Sequence, residues 1–177
     1  MPHALARRRA RLERQRLALM ERLSAYTDAQ CAFQPDPASW SLADVVLHLI
    51  LVEEALVQHG RAQTATRPPW VRFRARLRER IVVAALGRDL RIQAPSPAVL
   101  PQAHLPLDAL AVRWAAARSG LWAYLAELRP PLWARTAFRH PRTGWVTAMG
   151  GLRIIEAHCD HHLRQVERIL AAEGFPG

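Results

Sequence analysis

The 177-residue chain has no lysine, so all 25 of its basic residues are arginine. Against 15 acidic residues this leaves a formal charge of +10. An excess of that size ordinarily points to nucleic acid or an anionic surface. The one-sided use of arginine, beside abundant alanine, leucine and proline, is instead the mark of GC-rich coding, and it weakens charge as evidence about partners. Cysteine is scarce too. Cys31 and Cys159 are the only two, and both sit in helix-like segments. They make no disulfide framework, and a reducing cytoplasm is the expected compartment. No apolar run approaches the ~18 to 20 residues that a membrane span needs. Met1 to Arg16 is basic but leads into no apolar stretch or small-residue cleavage site, so no signal peptide is expected. Internal repeats and low-complexity segments are also lacking.

What is present suits an ordinary folded globule. Half of the residues are hydrophobic, and residues 1–177 are expected to form one domain with its own core. Residues 4–31 read as a first helix, with Leu5, Leu12, Leu19, Met20, Leu23 and Tyr26 on one stripe. Pro35 and Pro37 forbid its continuation. Ser41 is a natural N-cap with Asp44 three residues on, and Trp40 and Val45 can close a hydrophobic staple. The helix that follows carries Leu42, Val45, Leu49, Val52 and Leu56 and ends near Gly60.

Residues 61–69 read as a polar linker. Trp70 to Leu86 is ambiguous: its alternation is strand-like, yet Trp70, Phe73, Leu77, Ile81 and Ala84 also form a helical stripe. Helix is favoured, because Arg, Ala, Leu and Glu are helix formers. The proline-rich stretch 87–106 reads as a loop. A third bundle helix is expected over 107–128, ended by Pro130-Pro131. Residues 132–144 read as irregular, and a last helix runs from about Thr147 to Glu173, with Gly174 as its stop. The expected fold is all-α, a four-helix bundle with a long crossover connection between its second and third helices and no sheet.

The last helix contains His158-Cys-Asp-His-His162. Residues four apart point the same way on a helix, so His158 and His162 share a face with Gly151, Ile154, Ile155, Gln165 and Ile169. Two imidazoles on an apolar face need partners, because each buried ring has a donor and an acceptor to satisfy. Alone, such a pair reads equally as two core-edge histidines bonded to polar neighbours. His48, at the border of the second helix's stripe, supplies a third. Three nitrogens converging from two helices suit Zn, Ni or Fe and leave at least one coordination position open.

These residues resemble the DinB/YfiT-like family of helical bundles. The match lies in Trp40-Ser41-x-x-Asp44-Val45-x-x-His48-Leu49, then Gly144 to Thr147 leading into His158-x3-His162-x2-Gln165. Residues 61–106 match nothing in particular. The resemblance implies a divalent metal, nickel or zinc, on the three histidines. It also implies thiol-dependent S-transferase or isomerase chemistry with bacillithiol, mycothiol or glutathione. A metal-bound thiol is deprotonated, so an open site can make a thiolate at neutral pH. The same ion can activate water for hydrolysis.

Other residues carry narrower expectations. Asp44, one turn before His48, is a candidate to hold that ring's second nitrogen; as a first-turn acid it also suits the helix dipole. Gln165 is placed to bond a ligand histidine or substrate. Arg118 and Arg16 interrupt the apolar stripes of their helices, and each is a candidate anchor for an anionic substrate or thiol; the plainer reading is an arginine whose stem packs while its head reaches water. Arg118 in particular is expected to line the cavity over the metal. Glu53 is too far along its helix for ligation, His161 is expected at the surface or an edge, and Cys159 reads as a small inert core residue. His3, His59, His104 and His140 have no identifiable partners.

The leading expectation is therefore a metal-dependent enzyme that transfers a low-molecular-weight thiol to small electrophiles. The alternatives are a metal-dependent hydrolase, a non-catalytic metal-binding scaffold and an arginine-rich nucleic-acid-binding protein. Expected partners are a small-molecule substrate and, in a homodimer, a second copy of the chain. Nucleic acid and membrane are not expected. The five arginines of the 72–80 run alternate, so on a helix they spread over two sides, and no reading motif accompanies them.

Overall fold

The N-terminal helix α1 spans His3–Leu23 and stops eight residues before the sequence pattern does. The cause is local. Thr27 Oγ1 accepts from the Gln30 amide while Gln30 Oε1 accepts from the Thr27 amide, and this reciprocal cap starts a separate short helix, α2, Asp28–Cys31. Tyr26, released from the stripe, packs edge-on against Phe175 at 5.6 Å. The computed structural model describes residues 3–63, 73–88, 96–103, 105–128, 136–141 and 144–177.

Helix α3, Leu42–Ala62, begins as the sequence predicts: Ser41 Oγ accepts from the Asp44 amide and Asp44 Oδ2 accepts from the Ser41 amide at 2.9 Å. Helix α4, Phe73–Leu86, resolves the strand-or-helix ambiguity as helix, but with the opposite face inward. Phe73, Leu77 and Ile81 are exposed, and Glu79 and Leu86 are buried instead. The expected loop carries a 3-10 turn at Pro97–Val99, with Ser96 as its cap. Helix α5 spans Leu107–Glu127 and α6 spans Ala148–Leu170, capped by Thr147 Oγ1 on the Gly150 amide at 2.9 Å. Residues 61 and 62 of the expected linker continue α3, while residues 64–69, Trp70, residues 89–95 of the expected loop, His104, Pro130-Pro131 and residues 132–135 and 142–143 lie outside the described residues.

Helices α1, α3, α5 and α6 make the bundle. Arg8 pairs with Glu156 and Arg22 with Glu167, so α1 and α6 run the same way. Glu54 pairs with Arg113 and Arg61 with Glu127, so α3 and α5 also run the same way. Parallel neighbours cannot be joined by a tight turn; the chain must return the length of the bundle between them. That return is the crossover, and it carries α4 and the 3-10 turn. Leu12 and Leu19 of α1, Val45 and Ile50 of α3, Trp114 and Leu121 of α5, and Leu152 and Val166 of α6 are all fully buried. Burial of each large apolar side chain stabilises the fold by about 1.5–3 kcal/mol.

The expectation of no sheet needs one correction. Strands β1, Thr136–His140, and β2, Gly144–Thr147, pair antiparallel, with Phe138 opposite Val146 and Arg139 opposite Trp145. Two short strands cannot bury both faces on their own. They survive because Ala137, Phe138 and Val146 enter the core beside α3 and α6. Gly144 has φ +73°, a left-handed conformation that glycine adopts without strain.

Candidate metal centre

His48 lies in the second turn of α3, and His158 and His162 lie in the middle of α6. The two helices pack antiparallel, since the start of α3 shares a core cluster with the end of α6. The three rings meet. His48 Nε2 is 3.2 Å from His158 Nε2, and His162 Nε2 is 3.0 Å from the same atom. One ligand nitrogen from each residue lies within 4.8 Å of the others, so the trio could hold a metal ion.

The far side of each ring tells which nitrogen carries hydrogen. His48 Nδ1 is 2.7 Å from the Val99 carbonyl oxygen, which only accepts, so Nδ1–H donates and Nε2 is a bare lone pair. His162 Nδ1 is 2.8 Å from Gln165 Oε1, and the same logic leaves its Nε2 bare. Two lone pairs thus face His158 Nε2, whose single possible N–H can satisfy only one of them. A cation between the three nitrogens removes that conflict. The donor set, three neutral imidazoles, suits Zn, Ni or Fe.

The electrostatics agree. Burial lowers the pKa of His48, and it lowers His162 from 6.5 to about 3, with His48 adding to the effect. Burial and then the neighbouring His162 and His48 hold His158 well below 6.5. The rings are therefore neutral at physiological pH, the state a metal ligand requires. Trp40 closes one side: its ring lies 4.7 Å from that of His48 and is stacked at 6.0 Å on His162.

The histidines form one end of a cavity of about 620 Å³. Its walls are mainly apolar, with Val52 and Leu56 from α3, Val82 and Leu86 from α4, Val99 from the crossover and Ile154 from α6. His59, Arg139 and His140 also line it. No aspartate or glutamate does so among the described residues.

A sequence profile of the DinB superfamily matches residues 11–166. The chain belongs to the DinB superfamily. No curated protein matches it. Among solved structures it is similar to YfiT from Bacillus subtilis, described as a probable metal-dependent hydrolase with an unusual four-helix bundle topology. That similarity covers 94% of this chain and 85% of the other, at 14% identity and a TM-score of 0.54. It shows a shared fold.

Against this DinB frame the other sequence candidates fall unevenly. Gln165 does bond a site histidine, His162, and is not among the residues lining the cavity. Asp44 does not hold His48; its carboxylate is engaged by the Ser41 cap, and the Val99 carbonyl takes the place expected for it. Arg118 does not line the cavity. It is only 3% exposed and forms a bidentate pair with Glu53, at 2.9 Å from Nε and 2.6 Å from Nη2, because a buried guanidinium must find acceptors. Glu53, itself buried, also accepts from the Trp114 indole at 3.1 Å. Arg16 is likewise away from the cavity, paired with Glu13 at 3.0 Å.

His161 is buried rather than superficial: it lines the cavity, and its Nδ1 has no hydrogen-bond partner. Cys159 is buried, and burial pushes its thiol up to about 12, so it is inert at neutral pH. Sequence reasoning missed Val99, because a backbone carbonyl leaves no residue-type signal. It also missed the roles of Trp40, His59 and His140 around the cavity. Trp40 alone had a usable signal, its place beside the cap that opens α3.

Proposed function

We propose that this DinB protein is a divalent-metal-dependent enzyme that transfers a low-molecular-weight thiol to an apolar electrophile. The observation that carries the reading is the convergence of imidazole lone pairs at one end of an apolar cavity. His48, His158 and His162 would hold the ion through Nε2, with Val99 and Gln165 fixing the orientation of two of the rings. A bound divalent ion would supply Lewis acidity, lowering the pKa of a thiol brought to its open position. Trp40 covers the histidines and limits water there. Val52, Leu56 and Ile154 receive the apolar body of the electrophile. In the overall reaction the thiol loses its S–H proton to solvent, a C–S bond forms, and the leaving group departs with its bonding pair.

The described lining favours this reading. Among the described lining residues there is no Asp or Glu to act as general base, and beside such a lining a nucleophile acidic enough to be deprotonated next to a cation is the better match. A hydrolase is the second reading, favoured by the description of YfiT and by the open coordination position. Metal content and turnover are measured on purified protein, with several thiols plus a fluorogenic electrophile and, in parallel, activated esters and amides. About one divalent ion per chain is expected, with chelator-sensitive conjugation that is lost together with the metal in His158→Ala/His162→Ala. Full metal retention in that double variant would end the metal reading. Chelator-sensitive ester or amide cleavage without conjugation would replace transferase by hydrolase.

A further inference from the structure

The cavity has direction as well as volume. His48, Val52, Ala55, Leu56 and His59 all line it and lie along one side of α3. From His48 to His59 is eleven residues, or about 16 Å at 1.5 Å per residue. The His48 end is buried, whereas His59 at the other end is exposed. Between them the lining is apolar, with Val52, Ala55 and Leu56 on α3 facing Val82, Ala85 and Leu86 on α4. An apolar slot of that length is built for an extended molecule.

Arg139 also lines the cavity. It is an exposed residue of β1, the strand that packs beside α3. Its Nη1 donates to Gln63 Oε1 at 3.2 Å, and Gln63 follows directly on the end of α3, one turn beyond His59. Arg139 therefore belongs to the His59 end. Among the described residues it is the one arginine in the lining, and none of them gives it a carboxylate partner. This differs from Arg8, Arg22, Arg61, Arg113, Arg118 and Arg153, each of which is paired with a glutamate. The Gln63 contact uses a neutral acceptor and leaves the guanidinium charge uncompensated. A planar guanidinium with free donors recognises an oxyanion in bidentate fashion.

We infer that the substrate of this cavity is an elongated amphiphile, whose oxyanion head is held by Arg139 and whose apolar body runs along α3 toward the three histidines. Arg139 is the specificity residue, and the electrophilic group lies at the end of the molecule remote from the head. The placement of that reacting end rests on the metal-centre reading above; the recognition of the head by Arg139 does not.

Decanoate and decanol are compared by calorimetry on metal-stripped protein at mildly alkaline pH, where free imidazole is neutral and Arg139 is the charged side chain among the described lining residues. The wild-type protein is expected to bind decanoate about tenfold or more tighter than decanol, as a charge-assisted hydrogen bond provides. Arg139→Met removes the difference without changing decanol affinity, and Arg139→Lys keeps part of it. Equal binding of the two ligands by the wild type, or a preference that survives Arg139→Met, overturns the proposal. Metal content is measured on the same preparations before stripping. A decanoate preference in protein that never holds metal would sink the metal reading alone. Stoichiometric metal without a decanoate preference would sink this one alone.

Discussion

Val99 and Gln165 perform the same task from different distances. One is a carbonyl 51 positions along the chain from His48, the other a side chain three positions from His162, and each takes the Nδ1 hydrogen so that Nε2 faces its neighbours bare. Gln165→Leu removes the acceptor and leaves the ring free to turn or change tautomer. Metal affinity should fall about 10- to 100-fold, as loss of such a supporting bond usually costs. Competition with a chromophoric chelator measures it, with unchanged helix content by circular dichroism as the control. Arg118 belongs to the opposite category, a charge held for structure. Its partner Glu53 is also about as buried, so Arg118→Ala strands a carboxylate in the core and should destabilise the protein by about 3–5 kcal/mol. Metal content of the surviving folded fraction should be unchanged. Denaturant unfolding reads the first effect, and a loss below 1 kcal/mol would show that water reaches Glu53.

At the scale of elements, α6 owes its position to two adjacent glycines. A methyl on Gly151 would overlap the buried Phe138 ring of β1, and one on Gly150 would overlap the Glu79 carboxylate of α4. The hairpin and α4 thus approach the first turns of α6 more closely than a side chain allows. Glu79 occupies the space a Gly150 side chain would take, where burial raises its pKa, and pairs with Arg153 at 3.3 Å. Gly151→Ala should therefore cost stability by about 1–3 kcal/mol through overpacking, since the aromatic ring is hemmed in by the core. A thermal midpoint equal to wild type would mean that the hairpin moves freely. Helix α4 has its own asymmetry: Phe73, Leu77 and Ile81 face outward in part while Leu86 packs inward. The stripe seen in the sequence is present, but the tertiary contact chose the opposite face.

For the molecule as a whole, part of the positive charge is interlaced with acid. Arginines on α1 meet glutamates on α6, and arginine–glutamate pairs also tie α3 to α5. Exposed pairs of this type add at most about 1 kcal/mol each. Among the described residues no helix is long and apolar enough to cross a membrane. A pH dependence comes instead from the buried histidines, those of the metal centre together with His161. In the metal-free fold His162 stays neutral down to about 3, and His48 and His158 are lowered as well, whereas the unfolded chain protonates its histidines near 6.5. The unfolded state then binds more protons on acidification, so stability is full above 6.5 and declines as pH falls from there toward 3. Urea midpoints across that range, in chelator, should show the decline, and His158→Leu/His162→Leu should flatten its upper part. A profile indifferent to those substitutions would place the pH sensitivity elsewhere.

What the sequence by itself determined is whatever depends on short spacing. The caps at Ser41 and Thr147, the i,i+4 placement of His158 and His162, and the stripes of α1, α3 and α6 follow from helical periodicity acting over a few residues. Those patterns supported the all-α bundle with its crossover and singled out the three histidines before any contact was known. Tertiary structure alone decided the partners. The Val99 carbonyl meets His48 only because the crossover returns across the bundle, and Glu53 reaches Arg118 only because α3 and α5 run parallel. The hairpin is stable only because its strands are covered by α3 and α6, so residues that look irregular in isolation form a sheet. Asp44, Arg118 and Arg16 were given to the site on charge and periodicity, which cannot tell a functional group from one already satisfied. A cap, a buried glutamate and a neighbouring acid satisfied them first.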